Sequence, residues 1–164
     1  MLQMLYGLQQ RGLYVTGEET REQVATTAHR IGAMSNRIYV FTDLNLEKIL
    51  AHARELHAQT IVIDPIQKLT CNDVNDQAGS MKQLRECTKI LVHYAKTTNT
   101  GLWLISHLRR DGCIAGPQTI QYDVDVVLTL SRRTKFKNDA WILSCFYKNR
   151  FGPTNVSLPL ALRP

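Results

Sequence analysis

The stretch Thr60-Ile-Val-Ile-Asp64 decides the fold of this chain. Its apolar residues are β-branched and follow one another without a polar break, which predicts a strand covered on both faces. Strands of this kind belong to parallel sheets that carry helices on each side. A carboxylate ends the strand, and Pro65 then turns the chain. The stretch therefore predicts a parallel α/β sheet with an acidic group at the carboxyl end of one strand.

Strands and helices alternate on either side of this stretch, as expected for an α/β sheet. Further strands are predicted at residues 13–16, 38–41 and 101–106. The helices are predicted at residues 1–10, 20–32, 45–58 and 80–98. Thr20 and Gln23 form a capping-box pattern, and Asn45 and Ser80 are N-cap residues for two other helices. After residue 106 the pattern changes to strands at 124–130, 140–147 and 156–160, which predict antiparallel strands that extend the sheet at one edge.

Composition places the chain among single-domain globular proteins. It has 164 residues, of which 44% are hydrophobic and 21% charged, enough for one buried core. No apolar run approaches the roughly 20 residues of a membrane helix, and the first residues lack the basic flank of a secretory signal. We therefore expect a cytoplasmic protein with no membrane partner. Its four cysteines lack CxxC spacing, which predicts reduced thiols rather than a zinc site or disulfides.

Charge is distributed unevenly along the chain. Before residue 77 there are 7 Lys and Arg against 9 acidic residues, whereas the remainder has 13 against 5. A basic half beside a nearly neutral one suggests a face that meets a polyanion. Basicity alone leaves open whether that polyanion is nucleic acid or nucleotide.

Three polar residues follow predicted strands at the edge where ligands bind in open parallel sheets. Asp64 could hold a metal ion or its water shell, or it could cap the turn before Pro65. Glu18 could orient a water for attack on a phosphate, or it could be an acidic residue that favours a helix start. His107 could sense a phosphate, or it could be an ordinary turn histidine.

A second candidate group ends the apolar run that begins at Leu143. Lys148 and Arg150 stand two residues apart, so in a strand they would share a face, and Gly152 then turns the chain. Two fixed cations at a strand end suit a phosphate. A solvated basic strand end is the alternative.

Five short segments resemble the bacterial RadA (Sms) DNA-repair ATPases, which are RecA-like proteins related to the hexameric replicative helicases. The segments are Gly17-Glu-Glu19, Ile61-Val-Ile-Asp-Pro-Ile-Gln67, Leu104-Ile-Ser-His107, Asp111-Gly-Cys-Ile-Ala-Gly-Pro117 and Lys148-Asn-Arg-Phe-Gly152. The last one is the family's KNRFG motif, and all five occur in the family's order. The resemblance implies a RecA-like three-layer α/β/α fold with a mainly parallel sheet extended by antiparallel strands.

The resemblance also implies roles for the candidate residues with ATP and Mg²⁺ as cofactors. Asp64 would be the Walker B acid at the metal, Glu18 the residue that activates water, and His107 a sensor. Lys148 and Arg150 would reach the γ-phosphate bound by a neighbouring subunit, which requires a homo-oligomeric, hexameric ring.

DNA contacts follow from the same resemblance. Loops at residues 68–79 and 108–119 would line a central channel and touch single-stranded DNA, with Lys68, Arg109 and Arg110 as phosphate contacts. The alternative for the arginines is a solvated loop. The family's activity is ATP-driven branch migration, so recombination intermediates and a RecA-type recombinase are the expected partners.

One family feature is absent from the sequence. No GxxxxGK[ST] stretch occurs, so the backbone cradle and lysine for phosphates are missing. The first predicted helix also lacks a cap, and we expect residues 1–164 to be a RecA-like ATPase core truncated at its N-terminus, or a core that lost its nucleotide loop. The chain alone should then be inactive. Rival interpretations are a replicative-type helicase core, although helicases usually carry glutamine in place of His107, and a catalytically inactive DNA-binding or structural paralogue.

Overall fold

A computed structural model describes residues 1–107, 119–133 and 140–160. Arg109, Arg110 and part of the segment between the strands predicted at 124–130 and 140–147 lie outside these ranges. The chain divides into two compact units, Met1–Pro117 and Gln118–Pro164. No helix in the described part of the chain is long and apolar enough to cross a membrane.

The first unit contains the predicted parallel sheet. Its strands run in the order β2-β1-β3-β4, and every pairing is parallel. The strands are β1 (Gly12–Thr16), β2 (Ile38–Phe41), β3 (Thr60–Asp64) and β4 (Gly101–Leu104). The helices are α1 (Leu2–Leu8), α2 (Arg21–Arg30), α3 (Leu46–Glu55) and α4 (Met81–Thr98), with a 3₁₀ turn at Ile66–Lys68.

Side-chain caps start three helices where the sequence predicts them. The Thr20 hydroxyl accepts a hydrogen bond from the Gln23 amide, and the Gln23 side chain accepts one from the Thr20 amide, which completes the capping box. Asn45 and Ser80 accept from the third helical amide in the same way. Each cap satisfies an amide that has no partner within its helix. The third helix ends at Glu55, three residues before its predicted end.

Strand β3 is buried on both faces of the sheet, as predicted. On one face Val62 joins a core cluster that includes Leu5 of α1 and Val24 of α2. Ile63 points to the other face and lies beside Val15 in the strand register. Helices α1 and α2 therefore cover one face of the sheet, and α3 and α4 cover the opposite face. The predicted three-layer α/β/α fold is confirmed.

Two aromatic contacts show how α3 and α4 cover that second face. The Phe41 ring at the end of β2 stacks on His52 of α3, with ring centroids 4.6 Å apart. The guanidinium of Arg54 on α3 lies 5.3 Å from the ring centroid of Tyr94 on α4. The first contact joins α3 to β2, and the second joins α3 to α4.

The second unit is antiparallel, as predicted. It comprises α5 (Thr119–Asp123), β5 (Val126–Arg133), β6 (Ala140–Asn149) and β7 (Val156–Leu160). The strands hydrogen-bond to one another as a three-stranded sheet in the order β5-β6-β7. Helix α5 begins at the last residue of the predicted loop 108–119 and fills the interval before the strand predicted from residue 124, which had no assignment. Five residues are too few to show helical periodicity.

The cysteines that the structure describes are buried. Cys71, Cys87 and Cys145 are free and buried in the described part of the chain. Burial raises the pKa of the Cys87 thiol to about 12. A thiol with so high a pKa stays protonated and unreactive at neutral pH.

Gln83 on α4 fixes the loop that follows the 3₁₀ turn. It is 2% exposed, and its Oε1 accepts from the Cys71 amide at 2.9 Å. Its Nε2 donates to the carbonyls of Val74 at 2.9 Å and Asp76 at 3.1 Å. One buried amide thus satisfies backbone groups of the loop that have no strand or helix partner.

We predict that Gln83→Ala destabilises the first unit by roughly 1–3 kcal/mol, because the amide of the buried Cys71 is left without its partner. Chemical denaturation measures this, and limited proteolysis should show faster cleavage at residues 71–79. Gln77→Ala, in the exposed part of the same loop, is the matched control and should change neither. Equal stability of the two variants would refute the role given to Gln83.

Candidate active site at the carboxyl edge of the sheet

The three residues predicted from strand ends lie along one edge of the first unit. Strands β1, β3 and β4 are parallel, so their carboxyl ends meet at the same edge. His107 Nε2 lies 3.7 Å from Glu18 Oε1. The amide of Gly17, next to Glu18, donates to the Asp64 carbonyl at 3.1 Å. Glu18, Asp64 and His107 therefore belong to one cluster.

Tyr14 holds the carboxylate of Asp64. Its hydroxyl donates to Asp64 Oδ2 at 2.8 Å, and its ring is buried in the cluster around α1 and α2. Burial first, then the hydrogen bond and the nearby charges of Asp64, Glu19 and Glu18, hold the pKa of the Tyr14 hydroxyl well above its usual range. Tyr14 is consequently a permanent donor. No described residue donates to the second oxygen, Oδ1.

Thr16 and Gly17 shape the turn that carries Glu18. The buried Thr16 hydroxyl accepts from the amides of Glu18 at 3.4 Å and Glu19 at 3.3 Å. A Cβ at Gly17 would come within 2.9 Å of Leu44 and 3.2 Å of the Lys68 side chain. The turn therefore packs closely against Leu44 and Lys68, and a larger residue at position 17 would require these side chains to shift.

Hydrogen bonds also join the ends of β3 and β4. Gln67 Nε2 donates to Ser106 Oγ at 2.7 Å, and the Ile66 amide donates to the Ile105 carbonyl at 2.9 Å. His107 follows directly and is thereby kept beside the segment that leaves Asp64.

The groove over this edge is acidic. Residues 16–22 line it together with Thr42 and Leu44. Its three carboxylates, Glu18, Glu19 and Glu22, outnumber the cation Arg21, so a bare phosphate would be repelled unless a further cation accompanied it. Glu18 is the candidate residue that lines this groove; Asp64 and His107 lie outside its lining.

Magnesium fits the residues at this edge as a partner of a phosphate ligand. Mg²⁺ takes oxygen ligands, keeps several waters and is typically held by one or two carboxylates together with substrate phosphates. Asp64 is a half-buried carboxylate with one oxygen anchored by Tyr14. Across the described ranges, no group of three or more His, Cys, Asp or Glu residues is arranged to hold a metal ion unaided. Any ion here would therefore depend on its phosphate ligand.

Lys148 and Arg150 lie in the second unit, where each has a local partner. Lys148 Nζ donates to the carbonyls of Gln121 at 3.1 Å and Tyr122 at 2.6 Å, near the end of α5. Arg150 pairs with the Asp125 carboxylate. Strand β6 ends at Asn149, so Arg150 lies in the turn and the shared-face argument does not extend to it. Either cation would have to exchange these partners to reach a phosphate.

Of the remaining predicted site residues, the structure describes Lys68 alone. Lys68 ends the 3₁₀ turn after β3 and is exposed. Arg109 and Arg110 fall outside the described residues, so their assignment to DNA stays a prediction.

Tyr14 and Thr16 are site residues that sequence reasoning missed. Both lie in a strand that reads as a buried apolar run. A polar-tipped aromatic inside such a run is a signal, because a buried tyrosine hydroxyl usually needs a partner. Threonine just before Gly-Glu-Glu is another, because its hydroxyl can bond to amides of the turn.

Several curated proteins similar to this chain are named DNA repair protein RadA. The chain is 35% identical over 157 residues to the DNA repair protein RadA of Haemophilus influenzae, a match that covers 94% of this chain and 34% of the relative. The RadA protein of Pseudomonas aeruginosa is 36% identical over 157 residues, with 94% and 34% covered. That of Streptococcus pneumoniae is 31% identical, with 94% and 37% covered.

The chain therefore spans about a third of the length of these curated relatives. No protein-family model matches it.

Proposed function

Because this chain belongs to the RadA family of DNA repair proteins over the residues matched, we propose that it forms part of the core of an ATP-driven DNA repair motor. The observation that carries the proposal is the cluster of Glu18, Asp64 and His107 at the carboxyl edge of the sheet. A water-activating acid, a metal-associated acid and a phosphate sensor are the groups that phosphoryl transfer to water needs.

Each residue has a distinct task in this proposal. Asp64 orients the waters of the magnesium ion that accompanies ATP, and Glu18 accepts the proton of the attacking water. His107, 3.7 Å from Glu18, exchanges that contact for the γ-phosphate and so links phosphate occupancy to the position of Glu18. The magnesium ion, when bound, offsets the negative charge of the phosphates. The acidic groove favours such a metal–nucleotide complex over free nucleotide.

The proposal also requires groups from outside these residues. The chain has no GxxxxGK[ST] stretch, so another segment has to cradle the phosphates. Lys148 and Arg150 act on the γ-phosphate held by a neighbouring subunit, which makes the working form a ring. We call Lys148 and Arg150 together the finger. In this scheme the finger stays bound to its local partners, the α5 carbonyls and Asp125, until a phosphate on the neighbouring subunit replaces them.

DNA binding is the third part of the proposal. The segment with Lys68 and the loop with Arg109 and Arg110 contact single-stranded DNA through its phosphates, so that nucleotide turnover drives branch migration of recombination intermediates. Net positive charge after residue 76 supports such a partner.

Catalysis can be tested in a chimera in which this chain replaces the matched third of a RadA relative. We predict that Asp64→Asn and Glu18→Gln each lower ATP turnover by at least ~10²-fold, whereas nucleotide affinity falls far less. Glu55→Gln, on the exposed end of α3, is the control and should leave turnover unchanged. Normal turnover in Glu18→Gln or Asp64→Asn would remove that residue from the site.

The same chimera tests the finger. Arg150→Ala should collapse turnover by ~10³-fold or more with nucleotide binding retained. Mixing it with the Glu18→Gln form should restore part of the activity, because some interfaces then pair an intact site with an intact finger. If mixed rings form and remain as inactive as their parents, Arg150 does not act across a subunit boundary.

DNA binding can be tested on the chain itself. Replacing Arg109 and Arg110 by Ala should weaken single-strand binding equally for different sequences and make the dependence of log K on log salt shallower by roughly 0.7 for each lost phosphate contact. Fluorescence anisotropy at several salt concentrations measures both. Replacing the exposed Arg21 and Arg30 of α2 by Ala is the control. An unchanged slope in the loop variant would exclude the loop as the contact.

A further inference from the structure

We propose that Tyr14 is a positioning residue for the metal site, an inference that rests on the role proposed above for Asp64. Its hydroxyl fixes the Asp64 carboxylate through Oδ2. Oδ1 is then left to accept a hydrogen bond from a magnesium-bound water. Tyr14 itself touches neither metal nor nucleotide in this scheme.

The register of the sheet explains how Tyr14 reaches the carboxylate. Tyr14 pairs with Val62 on the neighbouring strand, and Asp64 stands two residues further along that strand on the same face. A tyrosine is long enough to bridge this diagonal, whereas a shorter side chain would stop at Val62. The hydroxyl therefore meets Asp64 where the strand runs out into solvent.

Packing holds the tyrosine ring at its other end. Tyr14 is 5% exposed and lies in the core cluster with Leu2, Val24 and Ala28. Close packing leaves the ring little freedom, so the donor has a fixed location. A short hydrogen bond from such a donor removes rotational freedom from the half-buried Asp64 side chain.

A purely structural role for the hydroxyl makes a different prediction. A buried tyrosine hydroxyl needs an acceptor, and Asp64 could simply supply one. In that case removing the hydroxyl would alter stability and leave metal affinity unchanged. A positioning role requires the opposite, because groups that orient a metal-binding carboxylate typically change metal affinity by 10- to 100-fold.

The experiment titrates the chain with Mn²⁺ in the presence of ATP, because an ion at this edge depends on a phosphate ligand. Protein-bound Mn²⁺ is followed by electron paramagnetic resonance, together with thermal melting. Tyr14→Phe should weaken Mn²⁺ binding by roughly tenfold with a melting midpoint close to that of the parent. Tyr94→Phe, which also removes one hydroxyl from a buried ring, is the control and should change neither quantity. Asp64→Asn should abolish the same binding.

The variants separate the two claims. If Asp64→Asn leaves Mn²⁺ binding unchanged, the proposed metal role of this edge fails, and the role of Tyr14 fails with it. If Asp64→Asn weakens binding and Tyr14→Phe does not, only the inference about Tyr14 is overturned. A Tyr14→Phe chain that fails to fold would assign the hydroxyl to stability and overturn the inference as well.

Discussion

Burial of β3 on both faces is the constraint on which the first unit depends. Its central residues have no access to water, so helices must cover each side of the sheet and every charge must lie beyond the strand ends. Asp64 is the first residue of the strand that is not fully buried. The same burial that gives the fold its core therefore places a carboxylate at the edge where parallel sheets bind ligands.

Short hydrogen bonds between neighbouring strand ends then order this edge. Tyr14 joins β1 to Asp64, and Gln67 joins the end of β3 to Ser106 beyond β4. Each link crosses between segments far apart in sequence, so the relative positions of the acids and His107 depend on the packed sheet and not on one flexible loop. Such support is what preorganised sites require. In the second unit, by contrast, Lys148 and Arg150 are occupied by local partners, and their proposed role includes releasing them.

Sequence patterns predicted the parts of the fold that are governed by local rules. Alternation of apolar runs predicted the strands, and the side chains of Thr20, Asn45 and Ser80 predicted three helix starts, because capping depends on residues within one turn. Helix α5 was missed because it is too short to have a pattern. The contact of Tyr14 with Asp64 was missed for another reason: it depends on strand order and register, which no local pattern contains. The role of Gln83 was missed for the same reason, because its hydrogen bonds to the loop at residues 71–76 depend on how the loop packs against α4.

The candidate site was predicted in part. Positions after strands identified Glu18, Asp64 and His107, and the parallel sheet brings them to one edge. The side chains that position these residues, Tyr14 and Thr16, were not predicted, because their role depends on contacts that form only when the strands and turns pack together.

Binding of a magnesium–nucleotide complex at this edge can be measured through the paramagnetic broadening of backbone amide NMR signals by Mn²⁺–ATP. Weak binding suffices, because broadening reports proximity even at low occupancy. Signals of residues 16–19, 64 and 105–107 should broaden first, whereas those at the opposite ends of the same strands, Gly12, Thr60 and Gly101, should stay sharp. Broadening centred on those opposite ends, or spread evenly over the surface, would contradict it.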